Sequence, residues 1–166
     1  MSNISPQTNF LYNNNMLPNP YYWAGNEHNL LFPFLFNDAN RADRTQFWTR
    51  WLLENRYSTG PGGIPGNDDY GTLSAWYTFA AIGFYPVTGD DYYYVSSPAV
   101  DEISIMFCGR QLNIKAENNS EENVYVASVT VGGEQLATPF VKHEQLCSGT
   151  EPISVVFQMS STPGFM

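Results

Sequence analysis

The stretch Gly66–Val87, GNDDYGTLSAWYTFAAIGFYPV, decides how the rest of the chain is read. Its first part is a turn: Gly66 and Gly71 bracket Asn67, the consecutive carboxylates Asp68 and Asp69, and Tyr70. Its second part has helical spacing. Leu73, Trp76, Tyr77, Ala80 and Phe84 recur at i, i+3, i+4, i+7 and i+11, an apolar stripe that predicts a helix over about 71–84. Acids at the mouth of an aromatic helix can hold a polyhydroxylated ligand and direct a water at it. The bland reading of Asp before a helix is capping of free backbone N–H groups. Two acids exceed what one cap needs, and Gly62, Gly63 and Gly66 ahead of them permit the close approach of a binding loop.

Upstream, Asn40 and Asp43 mark the start of a helix predicted over 42–57, with Phe47, Trp48, Trp51 and Leu52 on one face and Arg44, Arg50 and Glu54 on the others. The run 58–66, STGPGGIPG, ends it. Leu30, Leu31, Phe34 and Leu35 predict a shorter helix over about 29–39, with Pro33 held to its start. Just before it stands YYWAGNEH (21–28). Trp23 beside Asn26 and Glu27 could form a sugar platform with polar groups for hydroxyls or a cation. The competing reading makes Asn26 a helix cap and Glu27 a first-turn acid. His28 has no second His or Cys at ligand spacing. Core packing is the default for Trp48, Trp51, Trp76 and Tyr77. Residues 1–20 are Asn-rich and broken by prolines, and read as loop.

Beyond Pro86 and Gly89 the period falls to two. Segments 92–96, 102–107, 111–116, 123–131 and 153–159 read as strands, and Gly132-Gly133 signals a hairpin. The fold class is therefore α+β: helical hairpins over 21–87, then a small antiparallel β-sandwich over 88–166. The helical part is too short to close a core around so many large apolar side chains, and reads as a piece of something larger. Cys108 and Cys147 could pair across the β part, though one such pair decides nothing about compartment. Asn3-Ile4-Ser5 and Asn118-Asn119-Ser120 have the glycosylation spacing, which also arises by chance.

The net charge of −9, with only seven Lys and Arg and no cluster of them, disfavours nucleic acid and anionic membrane surfaces as partners. Membrane insertion is not expected, because no run of 18 apolar residues occurs. The N-terminal residues have neither the basic start nor the apolar core of an export signal. Nucleophile elbow, phosphate loop, dinucleotide fingerprint and zinc spacing are all missing from the sequence.

YYWAGNE (21–27), GPGGIPGNDDYG (60–71), SAWYTFAAIGFYPV (74–87), YYYVSSP (92–98) and AENNSEENVYVASVTVGG (116–133) together closely resemble the C-terminal part of glycoside hydrolase family 92. These are calcium-dependent exo-acting α-mannosidases, and the likeness runs from about Tyr21 to the end. The resemblance implies part of an (α/α)6 barrel followed by a β region, a mannose-containing glycan as partner, and Ca2+ as cofactor. It implies inverting hydrolysis with Asp69 as general base and Asp68 assisting, Trp23, Asn26, Glu27 and Asn67 near the sugar, and Asn26 and Glu27 near the metal. At Asn67 some members carry a second acid. The family's general acid is a glutamate in a motif like EGNAWQYT upstream of Gly-Asn-Glu, and these 166 residues have no such motif. The chain alone is thus expected to be inactive, with the missing N-terminal part of the enzyme as a partner. The other reading is a non-catalytic glycan-binding or complementing module. A secreted or periplasmic location is implied by the family alone.

Overall fold

A computed structural model of the chain describes residues 22–164. The expectation of a frayed segment over 1–20, Tyr21 and the first glycosylation triplet fall outside them. The element order is two short 3-10 turns, Glu27–Asn29 and Phe32–Phe34, then helices α1 (Ala42–Arg56) and α2 (Thr72–Ala81). Strands β1 (Phe84–Pro86), β2 (Tyr92–Val95), β3 (Glu102–Phe107), β4 (Arg110–Glu117), β5 (Tyr125–Val131), β6 (Glu134–Gln135) and β7 (Phe140–Lys142) follow. A five-residue helix α3 (His143–Cys147) and strand β8 (Ile153–Ser160) complete the described part.

The helix expected over 29–39 is replaced by 3-10 geometry. Phe34 N–H bonds to Leu31 O, Leu35 N–H to Phe32 O and Asn37 N–H to Phe34 O, all three residues back. Pro33 contributes no N–H, and the Asn37 amide turns inward instead to donate to Val95 O at 3.0 Å. Helix α2 also stops earlier than its apolar spacing suggests. Gly83 adopts φ +88°, and a Cβ there would meet the Phe157 ring at 2.8 Å, so the chain reverses into β1 at Phe84.

The face of α1 is the second correction. Its buried residues include Thr45, Gln46, Thr49 and Arg50 besides Leu52 and Leu53, whereas Phe47, Trp48 and Trp51 are only half-buried. The polar stripe is turned inward because it binds the β part. Gln46 Oε1 accepts from Val126 N–H at 3.1 Å, and the Arg50 guanidinium donates to Pro98 O at 2.5 Å and to the Asn119 side chain. The Arg50 donors satisfied this way cost little, the Gln46 Nε2 is left without a partner, and the aromatic stripe stays half open to solvent.

The β part is two sheets. One is antiparallel with order β1-β2-β7, the other has order β3-β4-β8-β5-β6. It is not wholly antiparallel as expected: β4 and β8 run parallel, Leu112 opposite Ile153 through Glu117 opposite Gln158. Phe84, Tyr93, Val95 and Val141 of the first sheet share one core with Ile114, Val129, Val155 and Phe157 of the second. Gly132 and Gly133, both at positive φ, make the two-residue turn between β5 and β6. Strand β2 is the wall between the two halves: Tyr93 and Val95 face the β core, while Tyr94 packs with Phe34, Leu53 and Trp76. Cys108 and Cys147 form a disulfide that ties the β3–β4 turn to α3.

Candidate active site

Two Gly-Asn-acid segments, 25–27 and 66–69, meet backbone to backbone. A Cβ on Gly25 would lie 2.5 Å from Pro65 O and 2.9 Å from Gly66 Cα; one on Gly66 would lie 2.8 Å from Gly25 Cα. Only glycine allows that approach, and it sets the residues that follow each glycine beside one another. The result is a Glu27 carboxyl near enough to act on that of Asp69. A hydrogen bond to Glu27, partial desolvation, and the negative charges of Glu27 and Asp68 hold the Asp69 carboxyl above the usual carboxylate range.

The turn that carries Asp69 is held in an unusual backbone conformation. Asp69, Tyr70 and Gly71 have φ of +33°, +59° and +88° in succession. For the two non-glycine residues the left-handed region costs on the order of 1–2 kcal/mol each. Thr72 closes the turn, its N–H donating to Asp68 O at 2.7 Å and its hydroxyl to Asp69 O at 2.7 Å.

The two acids divide the work that the sequence leaves ambiguous. Asp68 caps: Oδ1 accepts the Ser74 N–H and Oδ2 the Ser74 hydroxyl, each at 2.9 Å. That satisfies a first-turn donor of α2 and leaves Asp69 exposed. Asn26, in contrast, makes no side-chain cap to the 3-10 turn that follows it, so the capping reading fails there. Asn67 is exposed and His28 is exposed. Trp23 is half-buried; its backbone oxygen accepts the Asn29 amide at 3.0 Å.

Buried polar atoms without a hydrogen-bond partner gather on this side of the molecule: Tyr22 Oη, Trp23 Nε1, Glu27 Oε1, Arg56 Nη1 and Tyr57 Oη. Burial, together with Tyr85, pushes the Tyr22 hydroxyl well above its ordinary range. Burial does the same to Tyr57, with smaller contributions from Tyr22, Tyr85 and Asp68. Tyr57 stacks flat on Trp76 at 5.4 Å, and Trp76 Nε1 donates to Leu30 O at 2.9 Å, tying α2 to the segment that carries Glu27. Arg56 sits over the Trp51 ring at 4.7 Å. Unpartnered buried polar atoms are rare in finished structures and point to a face that a polar ligand or further protein completes. Ser74, Arg56 and Tyr57 are the participants that spacing alone did not single out.

Comparison with known proteins decides the lineage of this arrangement. The model for the glycosyl hydrolase family 92 catalytic domain matches residues 2–161. The chain belongs to glycosyl hydrolase family 92. A GH92 alpha-mannosidase from Bacteroides thetaiotaomicron, BT3965, solved in complex with mannoimidazole, superposes with a TM-score of 0.80 at 31% identity, over 86% of this chain and 19% of that one. The family protein ccman5 gives 0.76 at 25% identity, over 84% of this chain and 22% of that one. An uncharacterized secreted glycosidase of Arthroderma benhamiae is 26% identical over 152 residues, 89% of this chain and 19% of the relative. The chain therefore spans about a fifth of the length of these family members.

For a family member, the donors present suit a hard cation in kind. Glu27 offers a buried carboxylate oxygen with no donor, Asp69 a second carboxylate in contact with it, and Asn26 an amide not spent on capping. In number they fall short of the six to eight oxygens calcium takes. Among the described residues, Glu27, Asp68 and Asp69 do not form a group whose ligand atoms all lie within 4.8 Å of one another; Cys108, His143 and Cys147 do.

Proposed function

We propose that these residues form the base-side wall of a calcium-assisted site for terminal α-mannosides, with Asp69 as the general base of an inverting hydrolysis. The observation that carries the reading is the Glu27–Asp69 contact made by the Gly25–Gly66 approach. A carboxylate is a better base the nearer its pKa lies to the working pH. Glu27 and Asp68 raise the proton affinity of Asp69, while Ser74 keeps Asp68 from competing for the same water.

Glu27 cannot be the acid partner. An inverting pair of carboxyl groups stands ~6.5–9.5 Å apart to admit a water, and even a retaining pair stands ~5 Å apart. Groups in hydrogen-bond contact leave no room. Glu27 is instead assigned with Asn26 to the cation and the sugar hydroxyls, with Trp23 and Asn67 lining the same sugar. Calcium, when bound, would supply positive charge to the pair and polarise the hydroxyls of the sugar. Glu27 and Asn26 would hold the cation, and its positive charge there would favour the ionised form of Asp69 that accepts a proton from water. The proton donor to the leaving group, and the wall around the neighbouring sugar, come from the rest of the family fold.

The experiment is a calcium and mannoimidazole titration of the chain followed by carboxyl and amide NMR. Coupled shifts at Glu27, Asn26 and Asp69, absent in Glu27→Gln, support the proposal. Shifts confined to other carboxylates would remove it.

A further inference from the structure

We propose that Cys108, Cys147 and His143 form a second metal site, remote from the carboxylates, that takes a zinc-type borderline cation once the disulfide is reduced. The evidence is geometric. Their ligand atoms all lie within 4.8 Å of one another. His143 and Cys147 stand at i and i+4 on α3, which puts both side chains on one face of the helix. His143 Nδ1 is 3.6 Å from Cys147 Sγ. Tetrahedral zinc, with Zn–S of about 2.3 Å and Zn–N of about 2.05 Å, needs an N···S edge of about 3.6 Å. One edge of the polyhedron is therefore already in place. Reduction has only to let the two sulfurs part from a covalent bond to the roughly 3.8 Å of an S···S edge.

The β3–β4 turn can supply that movement. Cys108 and Gly109 are both left-handed, at φ +52° and +79°, and nothing packs within 4 Å of a Cβ placed on Gly109. Two cysteines and one histidine leave a fourth position open for water or another ligand, an arrangement that structural sites with four cysteine ligands do not offer. In the oxidised protein Tyr93 occupies the histidine: its hydroxyl lies 2.7 Å from Nδ1, the nitrogen a metal would take. Tyr93 is thus a competitor of the cation.

The chemistry balances with a thiol reductant. Two electrons from two molecules of a small thiol break the Cys108–Cys147 bond and leave that thiol as its own disulfide. The two cysteine thiols then release two protons as Zn2+ replaces them. Unlike the carboxylate site, this one is soft, switchable by redox state and independent of the α-mannosidase reading.

The test is zinc uptake by the intact chain, measured by equilibrium dialysis with and without a phosphine reductant, with Co2+ as the spectroscopic probe. The reduced chain is expected to take one Zn2+ and to give thiolate-to-cobalt charge-transfer absorption; the oxidised chain takes none at these residues. His143→Gln should weaken binding by at least about tenfold, as loss of a direct ligand costs no less than loss of a supporting one. Tyr93→Phe should strengthen it. If reduction loosens the β part, zinc must restore its circular dichroism, because binding is then coupled to folding. A reduced chain that takes no zinc, or a Cys108→Ser/Cys147→Ser double variant that takes as much as the parent, overturns the proposal.

Discussion

Gly66 lies against Gly25 so closely that a Cβ on Gly66 would come within 2.8 Å of the Gly25 α-carbon. From that contact follows the meeting of Glu27 with Asp69, each carried a short step beyond its own glycine. Gly66→Ala should therefore act twice. Overpacking against backbone should cost about 1–3 kcal/mol, read from the denaturation midpoint. The Asp69 carboxyl should also titrate closer to its ordinary range as Glu27 is pushed away, read by carbon-detected NMR. Loss of stability with Asp69 unchanged would separate the two segments.

The raised proton affinity of Asp69 fixes the sign of a pH effect. The folded-state pKa of Asp69 is raised, so the folded chain holds this proton more tightly than the unfolded one. The stability this group contributes is present below the unfolded carboxylate pKa and is lost as pH rises through the raised one. Asp69→Asn should gain melting temperature relative to the parent as pH climbs through that window. The difference should be flat at lower pH, where both side chains are neutral. A gap that shrinks with rising pH would contradict the assignment.

Calcium should reverse the same penalty. Its binding to the paired acids is expected to raise the melting temperature of the parent at neutral pH by mass action, and by much less in Glu27→Gln. Equal stabilisation of both by calcium would place the ion elsewhere on this acidic surface.

Asp68 holds the first turn of α2 through Ser74. Asp68→Ala should cost about 1 kcal/mol of stability, as lost caps do, and Ser74→Ala should lower the cost of a second change at Asp68. Additive effects in that double-mutant cycle would contradict the coupling.

Removing the Cys108–Cys147 bridge, which closes a sequence separation of 39, should cost about 4 kcal/mol in the chain-entropy account. Comparing the melts of the oxidised and reduced chain checks this.

Much of this is legible in the chain, and the failures share a cause. The aromatic run of α2 reads correctly where packing is local: Leu73, Trp76 and Ala80 are buried. Tyr77 on the same stripe remains 46% exposed. Helix α1 misreads because amphipathic spacing assumes that the apolar face turns inward, and here Gln46 and Arg50 are recruited by Val126, Pro98 and Asn119, 48 to 80 residues away. No local pattern carries that. The short strands β1 and β7 leave no mark either, since three residues cannot display a period. Which Asp caps is not written in the local sequence, because that choice rests on the left-handed turn at Asp69 and Tyr70.

The most direct measurement is α-mannoside hydrolysis by an enzyme in which these residues are completed by the remaining segments of a family member, comparing the parent with Asp69→Asn. The account predicts a fall of about 10²–10⁴ in kcat, the usual worth of a general base, with an unaltered or higher melting temperature. Activity within tenfold of the parent would show that another group takes the proton from water.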